Sequence, residues 1–334
     1  MTERNHIIDL LRFFAAAWVA IFHFNETIPY INNWYRFFFK LGYLGVPIFF
    51  VISGYCVYMA SNQAKNAKHF IVRRILRIFP PYWFSIIIVG IVIICSIVTN
   101  GANSIAILPK SGKDILATIT LLTTPFSSVP IINWVYWTLT FELFFYLLIF
   151  IGLLIPYHYR VFWFISISIS SLLFPIHEHW PFFFIGHWPS FCFGIVTYRL
   201  LHCKDQLWLN ILLLTINVFA LMNIIFLPYY SQTCVVTCLL IIISHYIPLK
   251  QNFASKLGDY SYSIYLLHVP VAVYMLGSVK QIKYVQTHLW ANLLWDFLLL
   301  GLITILSRWM YFNIELPSII LGKKLTNGIR KNTL

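Results

Sequence analysis

The sequence predicts an all-α fold, a polytopic membrane helix bundle, and three observations lead to it. Hydrophobic residues make up 60% of the chain and charged residues only 10%, with a mean hydropathy of +0.79. Apolar stretches of near-spanning length follow one another with short polar breaks. Lysine and arginine gather in alternate breaks, as they do in proteins whose loops lie on opposite sides of a bilayer.

Taken in order, the apolar stretches cover residues 7–24, 41–60, 82–99, 132–155, 161–175, 183–201, 208–226, 233–247, 260–278 and 293–312, about ten spans at 1.5 Å rise per residue. Pro125, Pro130, Pro175, Pro181 and Pro228 punctuate the links, where a missing N–H and a fixed φ are tolerated. Residues 114–124 are apolar but too short to span, so they read as an amphipathic or re-entrant piece. No composition shift marks a soluble domain. The chain reads as one transmembrane domain over 1–334, with a core at 7–317 and a basic cytoplasmic tail at 318–334. The first stretch is not expected to be a cleaved leader, because it carries charges and no small-residue cleavage site follows Phe24.

Orientation follows from Lys65, Lys68, Arg73, Arg74 and Arg77, the densest basic cluster, which belongs on the cytoplasmic side. Counting helices from it places both termini inside, leaving Arg36, Lys40, Lys110, Lys113, Lys280 and Lys283 outside and Arg12 and Arg308 within spans. The formal charge of +13 is then a basic rim facing anionic lipid head groups, and it needs no nucleic-acid partner. The six cysteines fall in or beside spans and suggest no disulfide framework. Cys234 and Cys238, one turn apart with no histidine or carboxylate beside them, read as small packing residues.

Ionisable residues inside apolar stretches mark the candidate site, because such groups are costly in lipid and face a polar interior. The first stretch carries Asp9, Arg12 and His23. Eleven residues separate Arg12 from His23, about three turns and about 16 Å of rise, so both share one face at two depths. Asp9 and Arg12 also suit a simple buried ion pair. Arg73, Arg74 and Arg77 stand at the entrance to the third stretch, before Pro80 and Pro81, where guanidinium forks converge on one anion or anchor the chain to lipid phosphates. Glu142 lies among aromatics, with Thr138 and Tyr146 one turn to either side, placed for a site or for a helix-to-helix hydrogen bond. Tyr265 and His268 open the ninth stretch. Arg308 and Glu315, seven apart, read as a buried pair closing the bundle. The His177-Glu178-His179 run matches no familiar zinc spacing, and no metal site is expected. These groups fit two classes of function, a membrane enzyme or a transporter or flippase for a glycolipid or small polar solute with a proton relay and no covalent chemistry.

Five segments in order carry a resemblance: Asp9-Leu-Leu-Arg12 with His23, residues 45–55 around Phe49, Phe50, Ser53 and Gly54, Arg73-Arg74-Ile-Leu-Arg77-Ile-Phe-Pro80, Trp137-Thr-Leu-Thr-Phe-Glu142 with Tyr146, and Ser261-Tyr-Ser-Ile-Tyr265-Leu-Leu-His268. Together they resemble the integral-membrane acyltransferase 3 family, bacterial O-acyltransferases that decorate surface glycans. The resemblance implies transfer of an acyl group, usually acetyl, from cytoplasmic acyl-CoA to a hydroxyl of a surface polysaccharide or lipid-linked sugar, in the bacterial cytoplasmic (inner) membrane. Acyl-CoA would be a co-substrate, with no tightly bound cofactor. It further implies His23 as catalytic base with Arg12 and Glu142, the cluster of Arg73, Arg74 and Arg77 as the holder of the CoA phosphates, and Asp9, Ser53, Trp137, Tyr146, Tyr265 and His268 along the substrate path. Leu143 stands where the family often has a second acidic residue. The chain resembles the stand-alone members that have no fused extracytoplasmic domain.

Overall fold

The computed structural model describes residues 4–26, 28–29, 31–100, 108–173, 182–203, 206–224 and 227–327. Among them there is no strand, and each apolar stretch read from the sequence is helical. The fold is an all-α membrane helix bundle. Helical stretches at His6–Glu26, Trp34–Asn62, Ala67–Val98, Trp134–Leu154 and Leu289–Asn327 are long and apolar enough to cross a membrane.

The chain begins with α1 (His6–Glu26), a short α2 (Trp34–Lys40) and α3 (Gly45–Asn62). The side chain of Asn33 starts α2 by accepting from the Arg36 N–H. The next helix, α4 (Ala67–Asn100), starts about four turns before the expected position and runs straight through Pro80 and Pro81. A proline deprives the preceding turn of a donor rather than ending the helix outright. Here the Tyr262 hydroxyl donates to the Ile78 carbonyl beside the proline pair (3.0 Å).

α5 (Gly112–Thr120) is the expected amphipathic piece. A capping box between Ser111 and Asp114 starts it, and backbone N–H donation from Lys110 holds the Asp114 carboxyl below its ordinary pKa. Ile115, Leu116 and Ile119 remain exposed on one face, while Tyr82 and Trp83 donate to the Thr118 and Ile119 carbonyls and tie the helix to α4.

The middle of the chain forms α6 (Trp137–Leu154), α7 (Arg160–Leu173), α8 (Trp188–His202), α9 (Leu207–Ile224) and α10 (Tyr230–Tyr246). α6 stops at Ile155, which is extended because Pro156 follows it. α3 and α8 cross with their backbones nearly touching. A Cβ on Gly54 would lie 1.9 Å from the Phe191 carbonyl oxygen, and one on Gly194 would lie 2.0 Å from that of Val51. Only glycine fits this crossing, and small residues at helix contacts are the usual solution in membranes. Cys234 and Cys238 on α10 are buried, with free thiols, in the same core.

The last third comprises α11 (Phe253–Leu257), α12 (Ser261–His268), α13 (Lys283–Thr287), α14 (Leu289–Met310) and α15 (Leu316–Asn327). Two π-helical turns interrupt it, at Val269–Met275 and Tyr311–Glu315. The second overturns the reading of Arg308 and Glu315 as a pair. Seven residues of α-helix would put them on one face, but the wider turn rotates everything after it. Arg308 is exposed and lies over the Phe312 ring at 5.9 Å, whereas Glu315 is buried and accepts from Ser263 (3.0 Å). α15 continues as helix into the stretch read as a basic tail and packs against α4.

Candidate functional site

One end of the bundle holds a cavity of ≈ 1330 Å³. Arg4 just before α1, Asp9 and Arg12 from its first turns, Arg74 and Arg77 from α4, Ser53 from α3, Glu142 and Tyr146 from α6, and Tyr265 from α12 all line it. Distant segments thus supply a common wall.

The cavity is cationic in a particular way. Asp9 is buried and its carboxylate is taken by Arg4 (Nε to Oδ2, 2.6 Å), while Arg12 stays 3.8 Å away. Arg4 also bonds Asp259 and is held above its ordinary pKa, chiefly by the hydrogen bond to Asp9. The expected Asp9 to Arg12 pair is therefore loose, and the Arg12 guanidinium remains directed at the cavity. On α4, Arg74 lies over the Phe70 and Tyr146 rings at 5.7 and 5.8 Å, and its Nε has no hydrogen-bond partner among the described residues. Arg77, one turn on, feels the Glu315 and Glu142 carboxylates. Arg73 is different. Adjacent residues on a helix point about 100° apart, and Arg73 turns away to bond Thr326 (2.7 Å) and Asn327 (2.8 Å) of α15. The structure makes it a clamp between helices and leaves it off the cavity wall.

Glu142 Oε1 accepts from both Ser53 Oγ (2.8 Å) and the Tyr146 hydroxyl (2.6 Å), joining α3 to α6. The helix-to-helix hydrogen bond and the cavity position are both realised. Tyr265 donates to the Val135 carbonyl (2.7 Å) and shares a hydrogen bond with Thr138 (2.6 Å), and its ring meets Phe49 edge-on at 6.0 Å. Trp137 lies off the cavity, in an aromatic cluster with His187, Phe50 and Phe141.

His23 is not on the cavity wall either. It lies at the far end of α1, where its Nδ1 is 2.8 Å from Glu26 Oε2 and 3.4 Å from the Trp134 indole nitrogen. One nitrogen cannot donate to the first and accept from the second. The short contact to a carboxylate is the stronger, so Nδ1 carries hydrogen and Nε2 keeps the lone pair. Glu26, and not Arg12 or Glu142, orients the imidazole. Sequence reasoning missed it because it lies just past the apolar stretch, although the His-x-x-Glu spacing puts both side chains on adjacent turns.

Between His23 and the cavity lies His268, fully buried. Its ring centroid is 5.4 Å from that of His23 and 5.6 Å from that of Tyr265. Nδ1 lies 3.2 Å from the Ile264 carbonyl, which can only accept, so the hydrogen is on Nδ1. Nε2 has no partner among the described residues.

A buried polar network fixes this end of α1. Asn25 and Tyr35 donate to Asp296 Oδ2 at 2.8 and 2.6 Å, Lys280 pairs with Asp296 Oδ1 at 2.5 Å, and Asn25 Oδ1 accepts from Arg36 and Asn292. The charge count puts Lys280 in an outer loop, and the structure buries its side chain. Asp296, a lone acid in an apolar stretch, was the available signal. Among the described residues no cluster of three or more His, Cys, Asp or Glu is arranged to hold a metal, and the His177-Glu178-His179 run lies outside them.

A family model described as an acyltransferase domain matches residues 5–312. Nodulation protein 10 of Rhizobium leguminosarum bv. viciae is similar, 35% identical over 109 residues, which is 32% of this chain and 29% of that relative. The match spans less than a third of that protein's length. No solved structure matches the chain.

Proposed function

The chain belongs to the acyltransferase 3 family and is a membrane acyltransferase, and from that premise we propose that it moves an acyl group, most simply acetyl, from acyl-CoA to a hydroxyl of a surface polysaccharide or lipid-linked sugar. The observation that carries this reading is the cavity itself. It brings Arg12, Arg74 and Arg77 around one space, and the Nε of Arg74 lacks a partner among the described residues. Arg74 forms no ion pair among the described residues and Arg12 is held only loosely by Asp9 at 3.8 Å, and guanidinium groups so placed in a half-buried cavity suit the phosphates of CoA, which each accept charge-assisted hydrogen bonds.

With the phosphates at Arg74 and Arg77, the pantetheine arm runs along Ser53, Glu142 and Tyr146 towards Tyr265, and Arg12 neutralises charge on the donor. The acceptor approaches from the His23 side. A sugar hydroxyl is a poor nucleophile, and the His23 Nε2 lone pair takes its proton as the oxygen attacks the acyl carbon. Glu26 holds the productive tautomer and stabilises the imidazolium that forms. The thiol is the better leaving group, which drives transfer forward. On the topology read from charge, the cavity opens to the cytoplasm, where acyl-CoA is found, and His23 faces the outer side of the inner membrane.

The test is equilibrium binding of acetyl-CoA to purified protein in detergent, beside thiol release with and without a crude surface-glycan or lipid-linked sugar extract. The reading expects binding that weakens at least tenfold in the Arg74→Ala, Arg77→Ala double variant, and thiol release that depends on the extract. Absence of acetyl-CoA binding by the wild-type protein would remove it.

A further inference from the structure

We propose that His268 is a covalent acyl carrier, accepting the acyl group from the thioester on the cavity side and presenting it to the acceptor activated by His23. The inference rests on the acyl-CoA reading above and addresses a problem that reading leaves open. The cavity that suits the donor does not reach His23. Tyr265 and Phe49 are part of its wall, and the His268 ring, itself off that wall, has its centroid 5.6 Å from that of Tyr265 and 5.4 Å from that of His23. A direct attack would need donor and acceptor to meet at one point, but the two histidines span the interval between them.

The state of His268 fits a nucleophile. Its Nδ1–H is spent on the Ile264 carbonyl, so the in-plane lone pair is on Nε2. That atom is buried and has no partner among the described residues. Leaving a buried polar atom unpaired is costly, so an unpartnered Nε2 on a fully buried histidine calls for a reason. The π-helical turn at Val269–Met275 starts immediately after His268, and such turns concentrate where a helix gives way to function. His23, by contrast, is held at Nδ1 by Glu26, which suits a base.

The steps balance. His268 Nε2 attacks the thioester carbonyl carbon, the C–N bond forms and the C–S bond breaks, leaving CoA thiolate and an acyl-imidazolium whose Nδ1–H stays on the Ile264 carbonyl. The acceptor hydroxyl then gives its proton to His23 Nε2 as its oxygen attacks the acyl carbon. The C–N bond breaks, neutral His268 returns, and His23 releases the proton to water on the acceptor side. The sum is thioester plus alcohol giving ester, thiolate and one proton.

A carrier makes half of the reaction independent of the acceptor, and that can be read directly. Purified protein is mixed with acetyl-CoA and radiolabelled CoA, with no acceptor, and label appearing in acetyl-CoA is followed. The proposal expects exchange in wild type, its retention in His23→Ala, and its loss by at least a hundredfold in His268→Gln with acetyl-CoA binding kept. Acid-quenched wild-type protein should carry a mass gain of one acetyl group on the peptide containing His268, a readout that does not depend on a variant folding. Wild type that binds acetyl-CoA and transfers acetyl to an acceptor, yet shows no exchange and no adduct, would overturn the carrier while leaving the acyltransferase reading intact. An adduct on His23 would also overturn it. Wild type that does not bind acetyl-CoA would remove both.

Discussion

His23 and Glu26 face each other across one turn of α1 at 2.8 Å, and the geometry assigns them unequal work. Replacing His23 with alanine removes the proposed base and is expected to lower turnover by about 10²–10⁴. Glu26→Gln keeps the shape and weakens the orientation, so a smaller fall, about 10–100-fold, is expected at unchanged acetyl-CoA affinity. Measuring turnover and Kd on both variants separates positioning from binding. Asp296 is a different residue-scale case. It pairs with Lys280 with both side chains almost entirely buried, and Asp296→Ala leaves an uncompensated buried cation at a cost of about 3–5 kcal/mol. Thermal unfolding in detergent should register that loss. His23, Arg12 and Glu142 were legible in the sequence because an ionisable group in an apolar run has few innocent explanations. Glu26 and Lys280 were not, because each sits just outside an apolar stretch and reads there as an ordinary solvated charge.

At the scale of elements, the helices themselves were legible and their phases were not. Hydropathy located each apolar stretch, but it took Pro80 and Pro81 for a boundary, and α4 passes through both. The longer helix divides the arginine cluster: Arg74 and Arg77 turn to the cavity and Arg73 to α15. Arg73→Ala is therefore expected to lower thermal stability while leaving acetyl-CoA affinity unchanged, the opposite of the Arg74 and Arg77 double variant. The loss of two charge-assisted contacts in the latter corresponds to about 10²–10⁴-fold in Kd. The π turn at Tyr311–Glu315 is invisible to periodicity for the same reason, since one wide turn resets the face of every later residue. Where α3 crosses α8, a Gly54→Leu side chain would overlap the Phe191 carbonyl. Loss of folded, monodisperse protein on size-exclusion chromatography is the expected outcome.

Over the whole molecule, the two parts of the proposed site stand at opposite ends of α1. The guanidinium-lined cavity surrounds its first turns, and the His23 and Glu26 pair is fixed at its last turn by the Asn25 network. The motifs along the chain include Arg12, Arg74, Arg77, Ser53, Glu142, Tyr146 and Tyr265, which line one cavity, but also Arg73 and Trp137, which lie off its wall. Their division into the proposed donor compartment and acceptor end depends on how α1, α4, α6 and α12 pack, which no linear spacing records. The central claim is that acyl groups enter on the arginine side and leave at His23. The most direct test incubates purified wild type and His23→Ala with radiolabelled acetyl-CoA and a lipid-linked sugar or surface-glycan extract, and follows label into the glycan fraction. The account predicts label in the glycan with wild type and a fall of at least a hundredfold with His23→Ala at equal acetyl-CoA affinity. Equal labelling by the two proteins, with affinity intact, would contradict it.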